Sequence, residues 1–180
     1  MKYIIICLAT FTCFCNFNCK TSKVNDSIII ATDKNDKKPS VNKDVAGFLV
    51  KIADARMMGK KEGELAVQKG TTPEIVDYGK LMIKDQQFLL TQIKKLAAEK
   101  NITLPAEISN DKKDGFKDLD GKTGESFDKK FIKMMRIDHE RDIKDFTKAG
   151  ELTDKGVTDF AAKYIEMIQM HLDKLNAIKQ

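Results

Sequence analysis

Residues that favour tight turns are scarce in this sequence of 180 residues. It contains no Trp, three Pro and ten Gly, and turn-forming residues become rare after Gly124. Lys, Glu, Asp, Ile, Leu, Ala and Met dominate instead. This composition favours long helices over a fold rich in β-sheet, and the length suits one domain with a short appendage.

Cysteine is absent from most of the chain. All four cysteines lie near the N-terminus, namely Cys7, Cys13, Cys15 and Cys19. The chain after Cys19 can therefore hold neither a disulfide nor a metal site built from thiolates. Redox chemistry and catalysis by a cysteine nucleophile are excluded for that part of the chain.

A large excess of one charge is absent too. Lys and Arg number 32 against 27 Asp and Glu, which gives a formal net charge of +5 at pH 7. Both signs are interspersed along the predicted helices and form no long basic run. This distribution is typical of a solvated helix surface, so we do not expect nucleic-acid binding.

The N-terminus has the pattern of an export signal. Lys2 precedes an almost uninterrupted apolar run from Ile4 to Phe17. About 14 apolar residues are too few to span a bilayer as a helix, but they match the hydrophobic region of a signal peptide. No small-x-small cleavage site follows, which argues against simple secretion. We therefore predict a signal peptide of the lipoprotein type over residues 1–19.

Cys19 stands where the acylated cysteine of a lipoprotein would stand, and Cys15 is the alternative. The preceding residues, Asn16-Phe17-Asn18, depart from the small residues that are usual before such a cysteine. A lipid on Cys19 would anchor the protein to a membrane without a spanning helix. The predicted location is the periplasm or the outer membrane.

A polar segment, residues 20–42, follows the predicted signal peptide. It is rich in Lys, Asp, Asn and Ser and is interrupted only by Ile28-Ile29-Ile30-Ala31. Such a composition predicts a flexible tether. The isoleucines either dock on the domain or lie exposed, and the sequence does not distinguish these two arrangements.

Four long helices are predicted within residues 43–180. Each shows apolar residues at steps of three and four, the pattern of a helix with one face in a core. The fold class is therefore all-α, a four-helix bundle. The polar connection over residues 106–124 is long enough to cross the bundle, which would make the second and third helices parallel; an all-antiparallel bundle is the alternative. The predicted helices cover residues 43–69, 73–100, 125–149 and 153 to near 180.

Each apolar stripe is interrupted by one ionisable residue: Glu62, Asp85, His139 and His171, the last two being the chain's only histidines. Carboxylates and imidazoles that project from facing helices are how a bundle builds a metal site. These residues could equally form a hydrogen-bonded network with one another or with water, or lie exposed without a role. No Glu-x-x-His motif is present, which disfavours a ferroxidase site.

Several short motifs resemble the bacterial envelope family called domain of unknown function 4142. The resemblance implies a ferritin-like four-helix fold, export to the periplasm or outer envelope, and no established activity. Members commonly show Asp-His in the second helix, whereas Gln86 follows Asp85 here, so one imidazole is missing. The motifs are Glu62-Gly63-Glu64-Leu65-Ala66, Tyr78 to Asp85, Leu104-Pro105, Phe127-Asp128, Asp138-His139 and His171-Leu172.

The sequence shows no complete catalytic constellation: neither a Ser-His-Asp order nor a Gly-rich phosphate loop is present. We therefore predict an envelope protein with a non-catalytic binding or structural role, held to a membrane through an N-terminal lipid. The alternative is a bundle that binds or stores a divalent metal through Glu62, Asp85, His139 and His171. No protein partner or oligomeric state follows from the sequence.

Overall fold

A computed structural model describes residues 25–178 of the chain, and within that range it contains six helices and no strand. The predicted signal peptide and Cys19 lie outside the described residues. The all-α class is confirmed. The helices are α1 (Ser27–Asp36), α2 (Lys43–Lys69), α3 (Pro73–Glu99), α4 (Asn110–Asp120), α5 (Gly124–Ala149) and α6 (Lys155–Asn176).

Local capping sets the boundaries of the long helices. The Asn42 side chain accepts hydrogen bonds from the backbone N–H groups of Asp44 and Val45 at the start of α2, at 3.0 and 3.1 Å. Asp154 accepts one from Val157 at the start of α6. These bonds satisfy donors that a helix leaves free in its first turn. The predicted helix starts at Lys43 and Pro73 are confirmed.

Two apolar clusters occupy opposite ends of the bundle formed by α2, α3, α5 and α6. The first cluster joins the N-terminal halves of α2 and α6 to the C-terminal halves of α3 and α5, and the second joins the opposite halves. Helices α3 and α5 are therefore parallel, as the length of their connection predicts. Representative members are Leu49, Ile93, Phe146 and Phe160 in the first cluster, and Ala66, Met82, Phe131 and Leu175 in the second.

The hairpin of α2 and α3 is closely packed because glycines meet at its crossing. A Cβ atom added to Gly63 would lie 2.8 Å from the carbonyl oxygen of Gly79, and one added to Gly79 would lie 2.8 Å from the Cβ of Ala66. Real Cβ atoms essentially never approach so closely. The two backbones thus touch here at a distance that only glycine allows.

The predicted flexible tether is corrected over its described part. Residues Ser27–Asp36 form α1, which contacts α2 and buries Ser27, Ala31 and Asn35. The Asn35 amide donates to the Thr103 carbonyl at 2.9 Å and accepts from the Thr103 N–H at 2.7 Å. Small and polar side chains therefore make this contact, while Ile29 and Ile30 lie on the exposed face.

Helix α4 lies within the predicted crossing connection. Its N-terminus is held by carboxylates from other parts of the chain: Asp54 accepts from the N–H of Ser109 at 2.7 Å, and Asp26 accepts from the N–H of Asn110 at 2.8 Å. The connection is thereby fastened to both α2 and the start of α1. No helix within residues 25–178 is long and apolar enough to cross a membrane.

Candidate functional site

A polar layer lies between the two apolar clusters, at mid-length of the bundle. The four predicted site residues, Glu62, Asp85, His139 and His171, all belong to it and are exposed by 9% or less. On each helix they fall between the residues of one apolar cluster and those of the other. The four predicted side chains are therefore buried inside the bundle, but the expectation of a single ionisable residue per helix is wrong, because α2 and α5 each bury further ionisable side chains.

Asp85 and His171 form a direct pair between α3 and α6. The Nε2 atom of His171 lies 2.9 Å from the Oδ2 atom of Asp85. Nε2 therefore carries the hydrogen and donates it. Nδ1 is left as an acceptor that has no partner among the described residues. Burial lowers the pKa of His171, and the hydrogen bond to Asp85 opposes that shift only in part.

His139 on α5 forms its hydrogen bond through Nδ1, whereas His171 uses Nε2. Its Nδ1 atom lies 2.7 Å from the backbone carbonyl oxygen of Met135. Nδ1–H therefore donates, and Nε2 is an acceptor without a partner among residues 25–178. Burial lowers the pKa of His139 to about 3. The rings of His139 and His171 meet edge to face, with centroids 5.6 Å apart, and the Tyr78 hydroxyl donates to the His171 carbonyl at 3.2 Å.

Glu62 on α2 has neither carboxyl oxygen hydrogen-bonded within the described residues. Burial raises its pKa to about 8, and the nearby Asp138 carboxylate contributes to that rise. At neutral pH Glu62 is therefore mostly protonated and can donate a hydrogen bond. Glu62 and His139 line the same small cavity, in which the centre of a water molecule could occupy a volume of about 10 Å³. That space matches at most a single water molecule.

Arg56 and Asp142 add a buried ion pair that the sequence analysis did not single out. They are 2% and 3% exposed, and the Nη2 atom of Arg56 donates to the Asp142 carboxylate. Burial lowers the pKa of Arg56 to about 10, well above neutrality, so the guanidinium stays charged. The pair spans α2 and α5, and both side chains line the cavity shared by Glu62 and His139.

Helical spacing contains a signal for this pair. Arg56 follows the buried Ile52 by four residues, and Asp142 follows His139 by three. Each therefore lies on the inner face of its helix. Gln86 likewise follows Met82 by four residues and is buried beside the cavity. Only the expectation that charged side chains face water kept Arg56 and Asp142 out of the predicted site.

The structure divides the predicted metal-ligand set into two parts. Asp85 and His171 bond to each other, whereas Glu62 and His139 face the small cavity together with Arg56. Within residues 25–178, no group of three or more Asp, Glu, His or Cys side chains is placed to hold a metal ion. The side chains of the layer can thus carry protons and form hydrogen bonds with one another or with a water molecule. Glu62, His139 and His171 are enclosed, whereas 13% of the Asp85 side chain is exposed.

The comparisons with known proteins bear on the family and the fold. The family model described as Domain of unknown function (DUF4142) matches residues 31–178. The chain belongs to this family. The resemblance drawn from the short motifs is confirmed, and the match includes most of α1. No curated protein matches this DUF4142 member.

One solved structure is similar in fold, a DUF305 fragment from Deinococcus radiodurans. The superposition gives a TM-score of 0.68 and covers 77% of this chain and 96% of that one. Sequence identity is 9%, so the likeness shows the fold alone. The predicted ferritin-like, all-helical architecture is thereby confirmed for this DUF4142 chain.

Proposed function

We propose that this protein is an exported envelope protein, anchored through a lipid on Cys19, whose bundle has a non-catalytic binding or structural role. The anchor is supported by the apolar run from Ile4 to Phe17 and by the position of Cys19 two residues after that run. A periplasmic or outer-membrane location follows from the same features. In this proposal the lipid inserts into a membrane, and the bundle lies in the cell envelope.

The enclosure of the polar layer carries the non-catalytic part of the proposal. Glu62 and His171 have no exposed surface. The cavity beside His139 accommodates at most one water molecule. An acid or base must come within hydrogen-bond reach of the atom it serves. A substrate larger than water would therefore require the bundle to open between α2 and α5.

Mass spectrometry of the mature N-terminus tests the anchor, with Cys19→Ser and Cys15→Ser as a matched pair of variants. We expect wild-type protein to begin at an acylated Cys19. Cys19→Ser should lose the lipid and accumulate with its signal segment uncleaved, whereas Cys15→Ser should be processed normally. An unmodified N-terminus at a later residue would refute the lipid anchor.

Activity screening tests the non-catalytic role. Purified protein is assayed for turnover of phosphoesters, acyl esters and glycosides, beside the variants Glu62→Gln and His139→Gln. We expect no turnover above that of buffer. Turnover that disappears in either variant would show that the layer is catalytic and would overturn this part of the proposal.

A metal-binding bundle is the second candidate, because several ligand-type atoms share the cavity without a partner among the described residues. They are the Glu62 carboxyl oxygens, Nε2 of His139 and Oε1 of Gln86. Arg56 opposes this function, since its guanidinium places a positive charge beside any bound cation. Water suits the cavity better than a metal ion does, because Arg56 contributes donors and the other side chains contribute acceptors.

Elemental analysis of protein purified without chelator decides this candidate. A site in the cavity predicts about one metal ion per chain, lost in Glu62→Gln and in the double variant His139→Ala/His171→Ala. Asp85→Asn, which disturbs the other pair, should then keep its metal. Sub-stoichiometric metal in all four proteins would exclude the candidate.

A further inference from the structure

Helix α1 has two different faces. Ser27, Ala31 and Asn35 are buried against the bundle, whereas Ile29 and Ile30 are 37% and 41% exposed. Two adjacent exposed isoleucines in the first turn of a helix gain nothing from their contact with water. Ile30 also borders a surface hollow whose lining includes Leu104 and Ala106, which extends the apolar area beyond the helix itself.

Hydrogen bonds hold α1 at a fixed place on the body. The Ser27 hydroxyl oxygen accepts from the backbone N–H groups of Ala106 and Glu107, at 2.9 and 3.2 Å. Asp26 caps α1 by accepting from the N–H of Ile28 at 2.9 Å. Together with the Asn35 bonds at its other end, these contacts make the exposed face of α1 a defined part of the surface.

The proposed anchor lies close to this face along the chain. Asp26 stands seven residues after Cys19. Seven residues span at most about 25 Å, because an extended chain advances about 3.3–3.6 Å per residue. A tether reaching to residue 42 would have allowed roughly three times that distance. The docked position of α1 therefore brings the folded body much closer to the anchoring bilayer.

We propose that the exposed face of α1 rests on the bilayer that holds the lipid anchor, with Ile29 and Ile30 among the lipid headgroups. This proposal rests on the proposed acylation of Cys19. The short reach keeps the first turn of α1 at high local concentration against that surface. The exposed apolar residues Phe88 and Ile137 lie on α3 and α5, much farther from Cys19 along the chain than Ile29 and Ile30 are.

The segment that joins Cys19 to α1 suits a membrane with anionic lipid. Basic residues outnumber acidic ones over residues 20–38; the excess comes from Lys20 and Lys23, since the charges over residues 26–38 balance. Basic side chains near a lipid surface are attracted to anionic headgroups. Apolar side chains that enter the headgroup region strengthen such an attachment. The basic residues are Lys20, Lys23, Lys34, Lys37 and Lys38, and the acidic ones are Asp26, Asp33 and Asp36.

The test uses the acylated protein in vesicles of phosphatidylethanolamine and phosphatidylglycerol. The chain after Cys19 contains no cysteine, so Ile29→Cys, Ile30→Cys and the control Ile137→Cys each offer one site for an environment-sensitive fluorophore. Ile137 is 50% exposed and lies on α5. We expect emission to be blue-shifted and at least twofold quenched by nitroxide lipids at 29 and 30, and unquenched at 137.

Failure of the docking and failure of the anchor are distinguishable. Acylated protein, verified by intact mass, whose labels at all three positions behave alike would overturn the docking and leave the anchor intact. Protein without an acyl chain would overturn both. Shielding of positions 29 and 30 in native envelopes but not in vesicles would show that a protein covers α1, which also overturns the proposal.

Discussion

The two apolar ends of the bundle and the polar layer between them differ in how their side chains accommodate burial away from water. At the ends, aliphatic and aromatic side chains such as Leu49 and Phe131 lose contact with water and need no partner. In the layer, burial shifts the pKa of Glu62 upward and that of His139 downward, so both become neutral. Arg56 stays charged and is paired with the Asp142 carboxylate.

The apolar ends and the polar layer therefore contribute differently to the stability of the fold and to the alignment of its helices. Away from the glycine crossing, the apolar ends would penalise a helix that slid by one turn, about 5.4 Å, less than the layer does, because one aliphatic side chain would replace another. The same slide would move Arg56 or Glu62 into contact with leucine and phenylalanine, without a partner. Burial of an unpaired charge costs several kcal/mol. We infer that the layer penalises misaligned helices while the ends supply most of the favourable burial.

The strongest way to break this contrast is to remove one partner of the buried ion pair. Arg56→Met leaves the Asp142 carboxylate buried and uncompensated, and we expect the free energy of unfolding to fall by about 3–5 kcal/mol. The double variant Arg56→Met/Asp142→Leu removes both charges and should recover most of that loss. Urea unfolding at pH 6 measures both, and equal losses in the two variants would contradict the account.

The glycine crossing near the second apolar cluster gives the next largest effect. In Gly63→Ala the new methyl group meets the Gly79 carbonyl oxygen at 2.8 Å, so α2 and α3 must separate. We expect a loss of about 2–3 kcal/mol, the usual cost of overpacking. Gly47→Ala is the matched control, because nothing lies within 4 Å of its added Cβ. That variant should gain up to about 1 kcal/mol from helix propensity.

A smaller effect is expected where α1 joins the body. Asn35→Ala removes the two hydrogen bonds to the Thr103 backbone. Two neutral hydrogen bonds are worth about 1–2 kcal/mol, and we expect a loss of that size. Thr32→Ala, at an exposed position of the same helix, should be nearly neutral. Exchange of the Thr103 amide hydrogen should become faster in Asn35→Ala only. Unchanged exchange at Thr103 in that variant would show that the two Asn35 hydrogen bonds do not hold α1 on the body.

The sequence predicted the four long helices well because their signals are local. Caps such as Asn42 and Asp154 act within a few residues of the chain. Helix α1 escaped prediction because its buried face consists of Ser27, Ala31 and Asn35, and this set carries no apolar periodicity. Its stability depends on partners far along the chain, at Thr103 and beyond, which a local pattern does not contain.

The polar layer was predicted in part. Apolar neighbours on the same helix face placed Glu62 and His139 inside the bundle. Which side chain meets which depends on the rotation and depth of each helix, and these follow from tertiary packing such as the glycine crossing. The pairing of Asp85 with His171 and the role of Arg56 therefore required the structure. Whether the layer binds metal remains a prediction for elemental analysis.

The pH dependence of stability sharpens the comparison further, because Glu62 and His139 change the free energy of unfolding in opposite directions as pH rises. Glu62 has a pKa of about 8 when folded, against an ordinary value of 4.5. Between these values the folded state keeps a proton that the unfolded state releases, so stability falls as pH rises. His139, with a folded pKa of about 3 against 6.5, contributes stability that grows as pH rises through that interval.

These two slopes oppose each other between pH 4.5 and 6.5, and above 6.5 only that of Glu62 remains. Glu62→Gln is neutral at every pH, so at pH 4, where wild-type Glu62 is mostly protonated in both states, we expect a change of about 1 kcal/mol or less, the size of one neutral hydrogen bond. At pH 6 the wild type should be less stable than the variant by about 2 kcal/mol, because its unfolded state has released the Glu62 proton. Between pH 6.5 and 8 the wild type should lose stability with a slope that approaches about 1.4 kcal/mol per unit, whereas the variant should stay level over that interval. Urea unfolding across this range measures both curves. Parallel curves would show that Glu62 is ionised in the folded protein and that the layer is not neutralised by burial.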